Sequence, residues 1–560
     1  MQGIGKALAL LNSECHSSQP PLSAVIITEI WASLIGKGQA CLNFNTMAVI
    51  VSLRLLIPLT LALSNAFGLS SYAAEAPPPK PEQQKLLLQT DFKNAKTVEI
   101  GKGFVDKDID SGLVARMAIK DRLVAWPQKS LVEAKSLPAK DVDFLRRLAL
   151  DTWRGLDGLS DKEHGLPLDR VHFGDGSIKL EDAQIGDYTS ITNIGFHFLA
   201  IVSAYELKFI NRDEALRRLT ASLSSLERME TYEGFYYNYY NTASLGKTSN
   251  FISFVDSGWL TAGLMVGRTA FPEIADRCSK LINQGNFRFF FDDQQKLMWH
   301  GFDVSAKARS PYHYGMVYTE ARLASLIAIG KGDVPEEHWF AMARTPPKED
   351  LGQSRQLQHR NEKTAKGFKW IGGYYEWRGF RFVPSWGGSL FEALMPALVL
   401  DEKHYAPNSL GKNDETHTAI QRRYALEDLK DPVWGMSPSS VPGSDAYAEY
   451  GVSVLGSYGY ASGVVTPHAA VLAILTEPDQ ALLNLRQLSQ RYALYGDFGF
   501  YDAVDPTTGR VAYKYLCIDQ AMTLVALANH LADHAIQQHF AKDLIAQRVL
   551  PLIGLENFFD

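Results

Sequence analysis

The chain has 560 residues, of which 46% are hydrophobic and 21% charged, and its net charge is −6. This composition is ordinarily globular and excludes a low-complexity polymer, while the acidic balance offers nucleic acid no basic surface. Aromatic residues reach 11%, and their placement carries more information than their total.

In chain order, residues 1–46 lack a consistent pattern and read as a non-native upstream extension. From Met47 onward, Arg54 precedes an apolar run, Leu55–Leu63, and small residues follow at Ser71, Ala73, Ala74 and Ala76. This order predicts a secretory signal peptide over 47–76, cleaved after Ala73 or Ala76. The apolar run is shorter than the roughly 20 residues of a membrane span, so the expectation is a periplasmic or secreted chain with no stable membrane insertion after cleavage. Residues 77–140 open with a Pro- and charge-rich tether and continue as a lead-in, in which Lys96–Val105 has a strand-like pattern. The main domain is expected over 141–545, and a short tail over 546–560.

Helical patterns dominate from about residue 140. Val142–Leu156 repeats apolar residues at helical spacing. Thr192–Ile210 is apolar nearly all round and precedes the amphipathic Asp213–Glu230. The alternation recurs in Asp256–Ala270 and Glu273–Gln284, then in Thr319–Gly330 and Pro335–Arg344. It continues through Ser389–Leu400 and Asp414–Leu429, then Pro467–Thr476 and Asp479–Leu494, and Asp519–Phe540 closes the series. A helix apolar on all sides is buried, whereas a one-sided helix covers a core. The pattern predicts an all-α fold, a closed α/α toroid of inner and outer helices with aromatic-rich loops at one end. An open solenoid is the alternative, but no strict repeat is visible. Strand patterns are few and short, as at Gly509–Leu516. Cys278 and Cys517 follow the expected cleavage point, and an exported compartment permits a bridge between them; the other reading is two buried small hydrophobes.

The loops that lead into the apolar helices share a composition. Gly234–Thr242, Ser253–Gly258, Ser310–Arg322, Gly372–Glu392, Leu494–Asp505 and Tyr515–Gln520 each set aromatics beside a carboxylate or amide. Aromatic platforms with scattered carboxylates suit a saccharide cleft better than a phosphate site. Glycosidic cleavage needs one carboxylic acid to protonate the leaving oxygen and one carboxylate as base or nucleophile, and burial can keep the acid protonated. The catalytic candidates are Glu320, Glu392 and Asp256. Tyr237, Trp259, Tyr314, Tyr375, Trp377, Trp386 and Tyr501, with Asp502, Asp519 and Gln520, are the substrate-binding candidates. Each acid also has a plain structural reading. Glu320 could cap its helix or pair with Arg322, Asp256 could be an N-cap, Glu392 could pair with an arginine, and Asp519-Gln520 could simply begin a helix. His197 and His468 read as structural. No CxxC, HExxH or acidic calcium loop appears, so no metal site is expected.

Nine segments in order, among them YTSITNIGFHFLA, GFYYNYYNT, FISFVDSGWL, YTEARLASLIAIGKGDVPEEHWF, SWGGSLFEALMP and YLCIDQAMTL, resemble the glucoamylase-like (glycoamylase) domain family over about residues 145–535. That family includes bacterial endo-β-1,2-glucanases of glycoside hydrolase family 144, and the middle region of cyclic β-1,2-glucan synthases is similar. The resemblance implies an (α/α)6 toroid acting on a glucan oligo- or polysaccharide without metal or organic cofactor. It implies Glu320 of TEARL as general acid, with Asp256, Glu392 and Asp519 lining the cleft, and it supplies no firm base. The chain departs from the family at Trp259 after VDSG, at Asn241 where an acid is usual, at Ala521-Met522 after IDQ, and in a polar insert over Pro346–Lys369. The leading expectation is endo-hydrolysis of β-1,2-glucan. Hydrolysis of another glucan on the same scaffold, and non-catalytic glucan binding, are the alternatives.

Overall fold

Serine hydroxyls start three of the apolar helices. The computed structural model describes residues 111–176, 178–346, 356–457 and 460–560; the upstream extension, the signal peptide and Lys96–Val105 lie outside the described residues. The helices used below are α1 (Ser111–Arg122), α2 (Asp141–Gly158), α3 (Ile191–Glu206), α4 (Arg212–Leu226), α5 (Phe254–Ala270) and α6 (Ala275–Gln284). They continue with α7 (Arg322–Gly330), α8 (Glu337–Ala341), α9 (Leu390–Leu394), α10 (Glu402–Tyr405) and α11 (Leu410–Arg423). The last are α12 (Pro467–Leu472), α13 (Pro478–Arg491), α14 (Cys517–Leu531), α15 (Ala535–Ala541) and α16 (Leu544–Ile553). Ser190, Ser253 and Ser389 cap α3, α5 and α9, each accepting from the backbone N–H three residues on, which satisfies a donor the helix itself cannot.

The chain is mainly helical, and the apolar helices lie at the centre of the packing. Every residue of α3 from Ile191 to Ala204 is buried, and α14 buries an almost continuous run from Cys517 to Asn529. By contrast α4 buries one stripe, Ala215, Leu219, Leu223 and Leu226. Helix α3 packs on α5, α5 on α7, α9 on α12, α12 on α14, and α14 on α3. Of the amphipathic helices, α4 backs α3, α6 backs α5, α8 backs α7, α11 backs α9, α13 backs α12, and α2 backs α14. Among the described residues no helix is long and apolar enough to cross a membrane.

Glycine sets how closely the central helices meet. A methyl group on Gly263 of α5 would lie 2.2 Å from the Gly195 carbonyl of α3, and one on Gly195 would lie 2.4 Å from the Trp259 carbonyl. On the other side of α5, a methyl on Gly258 would meet the Ala324 side chain of α7 at 2.3 Å. The backbones of α3, α5 and α7 are therefore nearly in contact around Gly195, Gly258 and Gly263.

The structure departs from the sequence reading in several places. Strands are more numerous than expected, and one hairpin is long: Gln356–Ala365 pairs with Phe368–Trp377, around a turn in which Lys366 and Gly367 both have positive φ. Charged residues along its first strand mask the alternation that marks a strand. The helix read as continuous over Asp519–Phe540 breaks at Asp533 and His534, both left-handed. Residues 546–560, read as a tail, continue α16, which packs on α7, and carry Glu556, which accepts from the buried Arg344. Cys278 and Cys517 are both buried free thiols.

A Gly263→Ala substitution should force α3 and α5 apart. Overpacking of this kind costs about 1–3 kcal/mol, and the thermal midpoint should fall accordingly; an unchanged midpoint would show that the two helices are not in backbone contact.

Candidate active site

Two of the sequence-predicted acids, Asp256 and Glu392, follow a serine cap, and the third, Glu320, precedes α7. Asp256 lies in the first turn of α5, where its carboxylate accepts from the Thr192 hydroxyl of α3 at 2.6 Å. The Asn238 amide, with its NH2 turned toward Asp256, donates to the two carboxylate oxygens at 3.3 and 3.2 Å. Glu320 stands in the turn just before α7, whose N-cap is Ala321, so it lies outside the helix and neither caps it nor occupies its first turn. Arg322 pairs with Glu402, at 2.8 and 2.7 Å, and not with Glu320.

Glu392 is the tied acid. It closes a capping box with Ser389 and accepts from Gly387 N–H at 2.9 Å, Ser389 N–H at 3.0 Å, Ser389 hydroxyl at 2.8 Å and Ser385 hydroxyl at 3.1 Å. It pairs with no arginine side chain; Arg322 donates instead to its backbone carbonyl at 3.0 Å. Glu392, one of the three acids expected to be catalytic, thus has both oxygens engaged by hydroxyl and backbone donors. Burial raises its carboxyl above the usual range while these hydrogen bonds oppose the rise.

Glu320 differs. Its carboxyl accepts from its own backbone N–H and is pushed up to about 7, by burial first and then by the charge of Glu392, with Arg322 opposing and Asp256 adding to the rise. Its side chain stays partly accessible, as a proton donor to a bound molecule must. The Tyr314 hydroxyl lies within electrostatic reach of Glu320 and Asp256, and the Tyr314 ring packs 5.3 Å from that of His300. Burial lowers the His300 pKa, and Asp256 opposes that shift. Tyr460 reaches Glu392, Glu449 and Glu320 electrostatically, and its ring lies over Gly387, where a methyl group would sit 2.0 Å from it. The sequence reading singled out none of His300, Tyr460, Glu449 and Tyr447.

A second acidic group forms where α12 and α14 begin. His468, Asp502 and Asp519, all buried, offer one ligand atom each within 4.8 Å of one another. Asp502 accepts from Ser440 N–H at 2.7 Å. Burial, together with Asp502, holds the Asp519 carboxyl well above its usual range, and burial lowers His468 to about 3. A proton kept on Asp519 lets the two acids lie together, since two buried like charges cannot both ionise. Tyr447, with 43% of its surface exposed, reaches Asp502, Asp519 and Glu449. Gln520 donates to the Phe500 carbonyl at 2.9 Å.

Four predicted sugar platforms are core residues, and this corrects the sequence reading. Trp259 is 1% exposed and stacks on Phe196 at 4.9 Å between α5 and α3. Tyr501 stacks on Tyr515 at 4.7 Å and donates to the Ser130 carbonyl at 2.7 Å. Tyr375 is fully buried and donates to the Pro346 carbonyl at 3.3 Å, and Tyr237 is buried beneath Lys247. Tyr314, Trp377 and Trp386 stay half-buried; Trp377 lies against Tyr424 and under Arg378, which is 4.3 Å from its ring. Local sequence places aromatics in a loop but cannot say which of them turn inward.

Residues 312–543 match the family model Glycoamylase, described as a putative glucoamylase. The chain resembles the glycoamylase domain family over that stretch. A cyclic beta-(1,2)-glucan synthase of Rhizobium meliloti is 22% identical over 577 residues, covering 76% of this chain and 19% of that protein. An exo beta-1,2-glucooligosaccharide sophorohydrolase of Parabacteroides distasonis is 23% identical over 375 residues, 60% of this chain and 49% of that protein. The chain thus spans half or less of the length of these curated relatives. Among solved structures, an endo-beta-1,2-glucanase of Chitinophaga pinensis superposes with a TM-score of 0.58 at 18% identity, covering 74% of this chain and 99% of that one. The glycoamylase-like resemblance and the shared fold of the helical core stand on these matches.

Replacing Glu392 by Gln sets an NH2 group against donors. Hydrogen bonds to a charged acceptor contribute about 1.5–3 kcal/mol, so the denaturation midpoint should fall by an equivalent amount. A variant as stable as the parent chain would show that the capping carboxylate contributes little.

Proposed function

We propose that this chain is a glycoside hydrolase that cleaves β-1,2-linked glucan, with Glu320 as general acid. The observation that carries the reading is Glu320 itself: a partly accessible carboxyl beside Tyr314, flanked by Asp256 and by a saturated Glu392. A group poised near neutrality can both hold a proton and give it up, which is what protonation of a leaving glycosidic oxygen requires. The relatives named for action on β-1,2-glucan support the linkage. Asp256, held by Thr192 and Asn238, is the neighbouring carboxylate offered to a water or a sugar hydroxyl. Tyr314, Trp386 and Trp377 are the sugar platforms that remain on this reading, with Asp502, Asp519 and Gln520 further along the cleft. The apolar helices α3, α5, α7, α9, α12 and α14 form the inner ring of an (α/α)6 toroid with the amphipathic helices outside. The signal-like stretch at 47–76 directs the chain to the periplasm or beyond.

Product analysis on linkage-defined glucans tests the reading, with short products from β-1,2-glucan expected; binding without products from any glucan would favour the non-catalytic alternative. Glu320→Gln should cut turnover by about 10²–10⁴-fold, and rates like those of the parent chain would remove Glu320 from the role.

The pH dependence has two signs. The acid works when protonated, so the rate should fall as pH rises through about 7. A carboxyl raised from 4.5 to about 7 on folding binds its proton more tightly folded than unfolded, so stability falls as pH climbs through that window. The loss reaches about 3 kcal/mol at most and is complete above it. Glu320→Gln should therefore be stabilised relative to the parent chain more at pH 8 than at pH 5, as read by thermal midpoints. Equal differences at both pH values would show that Glu320 does not titrate in this range.

A further inference from the structure

Arg322 is fully buried and uses its guanidinium in four directions. Nε and Nη2 form a two-pronged pair with Glu402 of α10, at 2.8 and 2.7 Å. Nη1 donates to the Thr319 carbonyl and to the Glu392 carbonyl, both at 3.0 Å, and Nη2 donates to the Ala393 carbonyl at 2.6 Å. Thr319 directly precedes Glu320, and Glu392 and Ala393 belong to the capped turn of α9. One side chain thus ties the two turns together. Behind it, Asp414 of α11 lies 3.6 Å from Arg322 and accepts from the Tyr318 hydroxyl at 2.6 Å.

We propose that Arg322 is a positioning residue: its guanidinium fixes the turn that carries Glu320 against the turn that carries Glu392, and so sets how strongly those two carboxyl groups act on each other. The inference rests on the reading of Glu320 as general acid. The groups that face Glu320 are Glu392 from α9, Asp256 from α5, Tyr314 from the strand His313–Tyr314, Tyr460 from the loop before α12, and Arg322 from its own segment. Those that face Arg322 are Glu402, Asp414 and Tyr318. A planar five-donor fork can span a carboxylate and three carbonyls at once, which a lysine ammonium cannot. Without the fork, α7 and α9 are joined less firmly at their first turns, and the influence of Glu392 on Glu320 weakens.

The test is the alkaline limb of the kcat/KM profile on β-1,2-glucan in Arg322→Lys, Glu402→Gln and Arg344→Lys. Arg344 is the control: it is equally buried, forks onto Glu556 and donates to the Trp339 and Met342 carbonyls, none of which belongs to the turns that carry Glu320 and Glu392. Arg322→Lys should move the limb to lower pH by at least about 0.5 unit. Glu402→Gln should move it in the same direction, because an uncancelled Arg322 acts more strongly on Glu320. Arg344→Lys should lower the thermal midpoint and leave the limb in place. An unmoved limb in Arg322→Lys overturns the proposal, as does an equal shift in Arg344→Lys. Should Arg322→Lys not fold, the isosteric Glu402→Gln decides on the same criterion. Glu320→Gln is measured alongside: full activity there refutes the acid reading itself, whereas an inactive Glu320→Gln with an unmoved limb refutes only the part given to Arg322.

Discussion

Carboxyl groups taken out of water at the starts of apolar helices are the constraint around which this molecule is arranged. Removing a carboxylate from solvent disfavours its charge, and each acid near the site meets that cost differently. Glu392 collects hydroxyl and backbone donors, which oppose the upward push of burial on its carboxyl. Glu402 is paired with Arg322. Asp414 and Asp519, beside Glu402 and Asp502, are pushed toward holding a proton. Among the described residues Glu320 has neither an arginine fork nor a set of side-chain donors, and its carboxyl is raised to about 7.

The acids are packed this tightly because the helices beneath them are. Glycines at 195, 258 and 263 remove the side chains that would otherwise hold α3, α5 and α7 apart. The first turns of those helices then lie side by side, and Asp256 comes within reach of Thr192 from the neighbouring helix. Close packing resists small displacements, so the separation of charged groups at the rim is inherited from apolar contacts well below it.

Much of this was legible in the sequence, for a physical reason. Runs such as Ile191–Ala204, apolar on every side, have no other place than a helical interior, and polar helices following them must cover it. Serine followed three residues later by an acid, as at Ser253 and Asp256 or Ser389 and Glu392, marks a helix start and hence the level at which the acids gather. What stayed hidden depends on long-range partners. Nothing near Arg322 in the chain announces Glu402, eighty positions on. The inward turn of Tyr375, Tyr501 and Trp259 depends on Pro346, Ser130 and Phe196. The long hairpin escaped notice because its first strand is charged, and charge in a solvent-facing strand obscures the alternation.

Hydrogen bonding distinguishes Glu320 from Glu392 better than burial does. Both are enclosed, both have raised carboxyls, and each acts on the same neighbourhood. A carboxylate that already accepts from hydroxyls and backbone N–H groups would have to surrender those bonds to bind a proton or a water, and each surrendered bond to a charged acceptor costs about 1.5–3 kcal/mol. Glu392 is therefore held in place by its donors, and its charge acts on Glu320. Near pH 7 Glu320 gains and gives up a proton at little cost, because burial and the charge of Glu392 have raised its carboxyl to about that value. On the reading of Glu320 as general acid, a fixed neighbouring charge helps to keep the proton on it at neutral pH.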